Sequence, residues 1–140
     1  MFITRATRHD KADLVEFLKE RDWQDAPVDE GVAFIARDGG IVGSVRLVEA
    51  APQTLIVEEM LVKGDRRGEG IGRQVLQAAM NSRGGTLYLC CHDDVIAFYE
   101  KFGFTQLAFE AQPIEIQEYF KAHGDYPTEP GHEHFFMTAR

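Results

Sequence analysis

Apolar and polar residues alternate along the chain with the periods of strands and helices, so the order of elements can be predicted first. Residues 2–6 predict a strand, and residues 11–22 predict a helix with an apolar stripe. Two apolar segments within residues 31–50 are joined by Asp38-Gly39-Gly40, which predicts a hairpin. Residues 54–62 are almost continuously apolar, which is typical of a central strand buried on both faces.

The second half of the chain alternates between helices and strands. The predicted elements are a helix over 72–82, a strand over 86–91, a helix over 94–102, a strand over 104–110, a helix over 113–124 and a last strand over 133–140. This order predicts a mixed α/β (α+β) protein whose first half is largely antiparallel.

Composition and charge argue against some classes of function and favour others. A chain of 140 residues is long enough to form one domain with a sizeable core, and the expected boundaries are 1–140. Its net charge of −8 argues against nucleic-acid binding and favours cationic or amine partners. No apolar run is long enough to span a membrane, and we expect no signal peptide. Adjacent Cys90 and Cys91 would form a strained disulfide, so a reduced, cytoplasmic setting is expected.

One short segment, DRRGEGIGRQVL at residues 65–76, places glycines and arginines before a predicted helix. Glycines allow backbone N–H groups to approach a ligand, and a helix N-terminus carries a partial positive charge, so the segment predicts an anion-binding loop. The spacing fits neither a dinucleotide fingerprint nor a P-loop. A glycine-rich turn that merely begins a helix is the structural alternative.

Two motifs together resemble the GNAT superfamily of acyl-CoA-dependent N-acyltransferases. Arg67, Gly70 and Gly72 match the family's pyrophosphate-loop pattern Gln/Arg-x-x-Gly-x-Gly/Ala. About thirty residues later, AFYEKFGF at residues 97–104 is similar to the family's second motif. The resemblance extends from about residue 2 to 109, whereas residues 110–140 match only as a helix and a last strand. It implies a GNAT fold, with a central mixed sheet of six to seven strands and about four helices.

The resemblance also implies acetyl-CoA as co-substrate and a set of residues that contact it. The backbone of residues 67–72 would hold the pyrophosphate, with an arginine near the phosphates. At His92 the family often has an asparagine that touches the pantetheine arm, so this contact departs from the pattern. The expected coenzyme-binding residues are Met60, Leu61, Val62, Arg66, Arg67, Gly68, Glu69, Gly70, Ile71, Gly72, Arg73, His92, Phe98 and Tyr99.

Acyl transfer to an amine requires a base, an oxyanion donor and an acid for the leaving thiolate. By resemblance, Glu58 or Glu59 is the candidate base, the Val62 backbone N–H the oxyanion donor and Tyr99 the acid. Strand alternation predicts that only one glutamate faces the cleft, and we favour Glu58. The alternatives are that both carboxylates are solvated or paired with arginines, and that Tyr99 only packs.

The expected function is acetyl transfer from acetyl-CoA to a primary amine of a small molecule or peptide, by direct transfer. A non-catalytic acyl-CoA-binding regulator is the alternative, and homodimerisation is left open. His132 and His134 would share one strand face, but without a third ligand at convincing spacing no metal is expected. Cys90 and Cys91 are interpreted as small packing residues rather than nucleophiles.

Overall fold

A computed structural model describes residues 1–140 and contains seven strands and four α-helices. The strands are β1 (Phe2–Arg5), β2 (Val32–Asp38), β3 (Gly40–Ala51), β4 (Thr54–Val62), β5 (Thr86–Cys91), β6 (Thr105–Leu107) and β7 (Phe135–Ala139). The helices are α1 (Lys11–Leu18), α2 (Ile71–Ser82), α3 (Ile96–Glu100) and α4 (Ile114–Ala122). The predicted α+β class, with a mixed sheet of six to seven strands and about four helices, is confirmed.

The strands form one sheet in the order β1-β2-β3-β4-β5-β7-β6. The pairs β1–β2 and β2–β3 are antiparallel, and the predicted hairpin turns between Asp38 and Gly40. The pair β4–β5 is parallel, and β7 is antiparallel to both β5 and β6. The nearly apolar segment forms β4, the fourth of the seven strands, so its prediction as a central strand is confirmed.

The chain divides into two compact units, and unit 1 comprises Met1–Val48 and Val57–Gly84. One face of its strands packs against α1. The core cluster on this face contains Leu14, Leu18, Ala33, Ile35, Ile41 and Leu61. α2 has its own buried face, formed by Ile71, Gly72, Val75, Leu76 and Ala79.

Gly43 in β3 lies directly against the side chains of the first turns of α2. A Cβ atom at this position would lie 2.7 Å from Ile71 Cγ2 and 3.5 Å from Val75 Cγ2. Since contacts under about 3 Å between carbon atoms are repulsive, a side chain at residue 43 would push the first turn of α2 outwards. The absence of a side chain at Gly43 therefore allows the first turn of α2 to lie this close to β3.

Unit 2 comprises Glu49–Ile56 and Gly85–Arg140. Its core is aromatic: the Phe136 ring of β7 lies 5.2 Å from the Phe120 ring and 5.3 Å from the Phe109 ring, measured between centroids. Phe120 and Met137 are fully buried. The last strand therefore supplies both hydrogen-bond partners and core side chains to this unit.

Three predicted boundaries in unit 2 are wrong. The helix predicted over 94–102 is α-helical only at Ile96–Glu100, and it ends in a turn at Gly103 (φ 87°), whose N–H donates to the Glu100 carbonyl at 3.1 Å. The strand predicted over 104–110 contains only Thr105–Leu107, because a 3-10 turn follows at Phe109–Ala111. The last strand begins at Phe135 rather than at residue 133.

No helix combines the length and the apolar character that a membrane crossing requires.

Candidate active site

The glycine loop before α2 presents open backbone. Gly68 and Gly70 have φ angles of 87° and 82°, a region that L side chains rarely adopt. A Cβ atom at either position would have no heavy atom within 4 Å, so nothing in the protein fills the space beside them. Gly70 is the N-cap of α2, and no side chain caps the helix. The first-turn N–H groups are thus left as donors for a ligand.

The rest of unit 1 anchors this loop at its start. The Lys63 N–H donates to the Val42 carbonyl at 2.8 Å, and the Gly64 N–H donates to Glu20 Oε1 at 2.9 Å. These two bonds attach the loop to β3 and to the segment after α1. The loop is therefore held before any ligand binds.

The three loop arginines differ in how their charges are compensated. Arg66 donates to Glu69 at 2.9–3.0 Å and to Asp38 at 2.9 Å, and these hydrogen bonds raise the pKa of Arg66. Arg67 and Arg73 are exposed and form no ion pair. Arg66 and Glu69 thus brace the loop, while Arg67 and Arg73 provide uncompensated positive charge beside it.

The other expected contacts around the loop differ in accessibility. Leu61 and Ile71 are each 2% exposed, and Gly72 is buried, so their side-chain positions belong to the core. Met60 and Val62 are half-buried. At Leu61, Ile71 and Gly72, only the backbone N–H and C=O groups could contact a ligand.

Arg46 organises the two glutamates of β4. Its guanidinium is 3% exposed and donates to both Glu59 oxygens, at 2.6 Å and 2.9 Å. It also donates to the Glu30 carbonyl at 3.0 Å and lies 4.0 Å from Glu58 Oε2. Both carboxylates therefore lie near one buried guanidinium, which is the arginine-paired alternative considered from the sequence.

The expectation that adjacent glutamates point to opposite faces is wrong. Glu59 has a φ angle of 41°, which interrupts the extended backbone on which two-residue alternation depends. Arg46 itself was missed by sequence reasoning. A single charged residue inside the apolar segment GSVRLV was the signal that could have identified it, because a buried charge requires a partner.

In unit 2, Tyr99 lies on α3 and is 7% exposed. Its ring lies 5.2 Å from the half-buried Phe98 and 5.7 Å from Phe104, and both contacts are edge-on. This packing fixes the ring position. The ring position is compatible with proton donation by the Tyr99 hydroxyl to a leaving thiolate, and also with a role in packing alone.

The end of β5 and the segment before β7 bring polar side chains together within unit 2. Atoms of Cys90, Asp125 and His134 that can bind metals lie within 4.8 Å of one another, and the ring centroids of His92 and His134 are 4.9 Å apart. Burial raises the pKa of the Asp125 carboxyl, and the nearby histidines, His134 first, partly offset this rise. Sequence reasoning considered the histidines and cysteines separately and missed this cluster.

Two related expectations need correction or refinement. His132 and His134 do not share a strand face, since β7 begins after them and His132 forms only an isolated bridge with Glu129. Cys91 is buried, and burial together with Asp94 raises the pKa of its thiol to about 11. That protonated thiol fits its interpretation as a packing residue.

Comparison with known proteins identifies a family. A family model described as an acetyltransferase (GNAT) domain matches residues 29–106, more than half of the chain. This range contains the glycine loop, both β4 glutamates and Tyr99. A search of curated protein sequences found no match.

Several solved structures share the fold at low sequence identity. A GNAT-family acetyltransferase from Staphylococcus aureus is 17% identical, with a TM-score of 0.70, 98% of this chain covered and 96% of that chain. An aminoglycoside 6′-N-acetyltransferase complexed with coenzyme A is 20% identical (TM-score 0.70; 99% and 96% covered). N-acetylglutamate synthase from Neisseria gonorrhoeae, complexed with coenzyme A and N-acetyl-glutamate, is 16% identical (TM-score 0.71; 100% and 35% covered). At these identities the likeness establishes the fold.

Proposed function

Because the chain belongs to the GNAT acetyltransferase family, we propose that it transfers an acetyl group from acetyl-CoA to a primary amine by direct attack of the amine. The proposal covers residues 1–140 as one catalytic domain in the cytoplasm. The acceptor is a small-molecule or peptide amine.

The open glycine loop carries this proposal. Pyrophosphate is a compact anion, and the uncapped α2 N-terminus with open backbone at Gly68 and Gly70 offers the donors it needs. Uncompensated Arg67 and Arg73 add positive charge on a chain whose net charge is −8. Two of the solved relatives of this fold were crystallised with coenzyme A, which supports the assignment of the ligand.

The reaction requires a base, a hydrogen-bond donor for the oxyanion and an acid. The acceptor amine must be neutral when its nitrogen forms a bond to the acetyl carbon, and we assign Glu58 to take its proton, directly or through water. The Val62 N–H is assigned to the developing oxyanion. As the carbon–sulfur bond breaks, the thiolate needs a proton, and we assign Tyr99 as the donor.

A non-catalytic acyl-CoA-binding protein is the second candidate. Two observations favour it: His92 stands where the family often has an asparagine, and Arg46 compensates the charge of Glu59 and lies near Glu58. Such a protein would bind coenzyme A through the same loop but would not catalyse acetyl transfer.

Calorimetric titration with coenzyme A tests the shared binding step. Gly70→Ala places a methyl group where the ligand should approach, and loss of one or two charge-assisted hydrogen bonds should weaken affinity about tenfold or more. Gly39→Ala is the matched control, since Gly39 has a φ angle of 83° and an equally open environment in the β2–β3 turn. Both variants suffer the same backbone strain, but only the first should lose affinity. Equal affinities would contradict the loop assignment.

Turnover separates the two candidate functions. Wild-type protein should convert acetyl-CoA and at least one member of a panel of amines to an acetylated product detected by mass spectrometry. Binding of coenzyme A without any acetylated product across amino sugars, polyamines, amino acids and peptide N-termini would favour the binding protein.

A further inference from the structure

A cluster of sulfur, oxygen and nitrogen donors lies at the end of β5, outside the glycine loop. The register of the sheet creates it: Cys91 pairs with Phe135 and Cys90 with Phe136, so the end of β5 lies beside the start of β7. His134 immediately precedes β7, and Asp125 follows α4. Residues distant in sequence thus converge, with ligand atoms of Cys90, Asp125 and His134 within 4.8 Å of one another.

The two histidines of the cluster are oriented by backbone carbonyls. His134 Nδ1 lies 3.0 Å from the Asp125 carbonyl oxygen, and His92 Nδ1 lies 3.3 Å from the Glu133 carbonyl oxygen. A carbonyl oxygen can only accept, so each Nδ1 carries the proton and each neutral ring keeps a lone pair on Nε2. This is how histidines that bind metals are usually held, with one ring nitrogen donating to a carbonyl and the other facing the ion.

We propose that Cys90, Asp125 and His134 bind a divalent transition metal of the zinc class, with His92 as the fourth ligand. One thiolate and one carboxylate neutralise the charge of a divalent ion, and the mixed S/O/N set suits zinc, which prefers four ligands of these types. In tetrahedral zinc sites the ligand atoms lie about 3.5 Å apart. Ligand atoms of Cys90, Asp125 and His134, which lie within 4.8 Å of one another, would reach this spacing by side-chain movements of about 1 Å. His92, whose ring centroid lies 4.9 Å from that of His134, would turn towards the ion.

The ion would link the end of β5 to the segment between α4 and β7 in unit 2. Residues 124–134 form the Pro- and Gly-rich segment between α4 and β7, and the proposed ligands attach both ends of this segment to the end of β5. The expectation of no metal rested on the lack of a third ligand near His132 and His134. The fold instead places Cys90 and Asp125, which are distant in sequence, beside His134 and leaves His132 outside the cluster.

Metal titration of the whole chain tests this proposal without any assay of acetyl transfer. Chelator-treated protein, free of coenzyme A, should bind one equivalent of Zn²⁺, and the melting temperature should rise on addition of zinc. Co²⁺ should give a thiolate-to-cobalt charge-transfer band that one equivalent of zinc abolishes. The absence of stoichiometric binding by either ion would overturn the proposal.

Matched variants identify the ligands. Cys90→Ser should abolish the charge-transfer band, and Asp125→Asn, His134→Gln and His92→Gln should each weaken zinc binding about tenfold or more, with folding checked by circular dichroism. His132→Gln is the control, because His132 is exposed in the same segment and outside the cluster. A band that survives Cys90→Ser, or equal losses in His132→Gln and His134→Gln, would refute the site. Unchanged affinity in His92→Gln would refute the fourth ligand.

Discussion

Arg46 holds the two carboxylates of β4 unequally, with two short hydrogen bonds to Glu59 and a 4.0 Å separation from Glu58. Glu59→Gln leaves a buried guanidinium without its anion, so it should lower the free energy of unfolding by about 3 kcal/mol. Glu58→Gln should change it by less than about 1 kcal/mol and instead reduce turnover, chiefly at low pH, where most of the acceptor amine is protonated. Urea unfolding measures the loss of stability in each variant, and a pH–rate profile measures the loss of turnover. The reverse pattern would make Glu59 the base.

The two glutamates also mark the limit of sequence prediction for single residues. The resemblance to the family located both of them, but the expectation that only one faces the cleft depended on regular strand alternation. Glu59 interrupts that alternation with a φ angle of 41°, and nothing local in the segment VEEML specifies a left-handed residue. Glu59 is hydrogen-bonded to the buried Arg46 of β3, and such a contact between strands is not specified by the local sequence pattern.

The hydroxyl of Tyr99 can be tested separately from its ring. Tyr99→Phe retains the edge-on contacts with Phe98 and Phe104, so the melting temperature should change little. Turnover should fall about 10²-fold, the usual scale for loss of an acid–base group. Mass spectrometry of the acetylated product is preferable to a thiol dye, because cysteines of the protein also react with dyes. Unchanged turnover would leave Tyr99 with a packing role only.

The two adjacent cysteines should differ in reactivity. The pKa of Cys91 is raised to about 11, so at pH 8 only about one Cys91 thiol in a thousand is ionised. Alkylation of the native protein at this pH should therefore modify Cys90 well before Cys91, and Cys91 should begin to react only as the pH approaches 11. Peptide mapping by mass spectrometry distinguishes the two. Equal modification at pH 8 would show that Cys91 is not buried in solution.

At the scale of elements, the start of α2 depends on the contact between β3 and the helix. Gly43→Ala introduces a Cβ atom 2.7 Å from Ile71 Cγ2, and this overpacking should cost about 1–3 kcal/mol of stability. It should also weaken coenzyme A binding, because Ile71 is the first residue of the helix that follows the loop. In Gly43→Ala/Ile71→Ala the added methyl group has room. The double variant should be more stable than the sum of the two single changes implies, and simple additivity would exclude the steric explanation.

Helices and strands were predictable from the sequence where the hydrophobic residues followed a single helical or strand pattern. β4 and α2 were located to within a residue, because β4 is almost continuously apolar and the apolar residues of α2 recur with the helical period. The helix predicted over 94–102 was too long, since its apolar residues extend past the point where Gly103 turns the chain. The position of β7 was not predictable at all. Its insertion between β5 and β6 depends on pairings between distant residues, which no local pattern specifies.

At the scale of the whole molecule, the last strand is an interior strand. β7 separates β5 from β6, and Phe136 and Met137 are 5% and 0% exposed. A chain that ends at His134 would leave β6 without its strand partner and would remove these side chains from the core of unit 2. Cooperative thermal unfolding of unit 2 should therefore be lost, and the amides of β5 and β6 should lose their protection from hydrogen exchange. A chain that ends at Ala139 lacks only the exposed Arg140 and should behave as the full chain does. Retained protection in the shorter chain would show that β5 and β6 are stabilised by contacts other than those with β7.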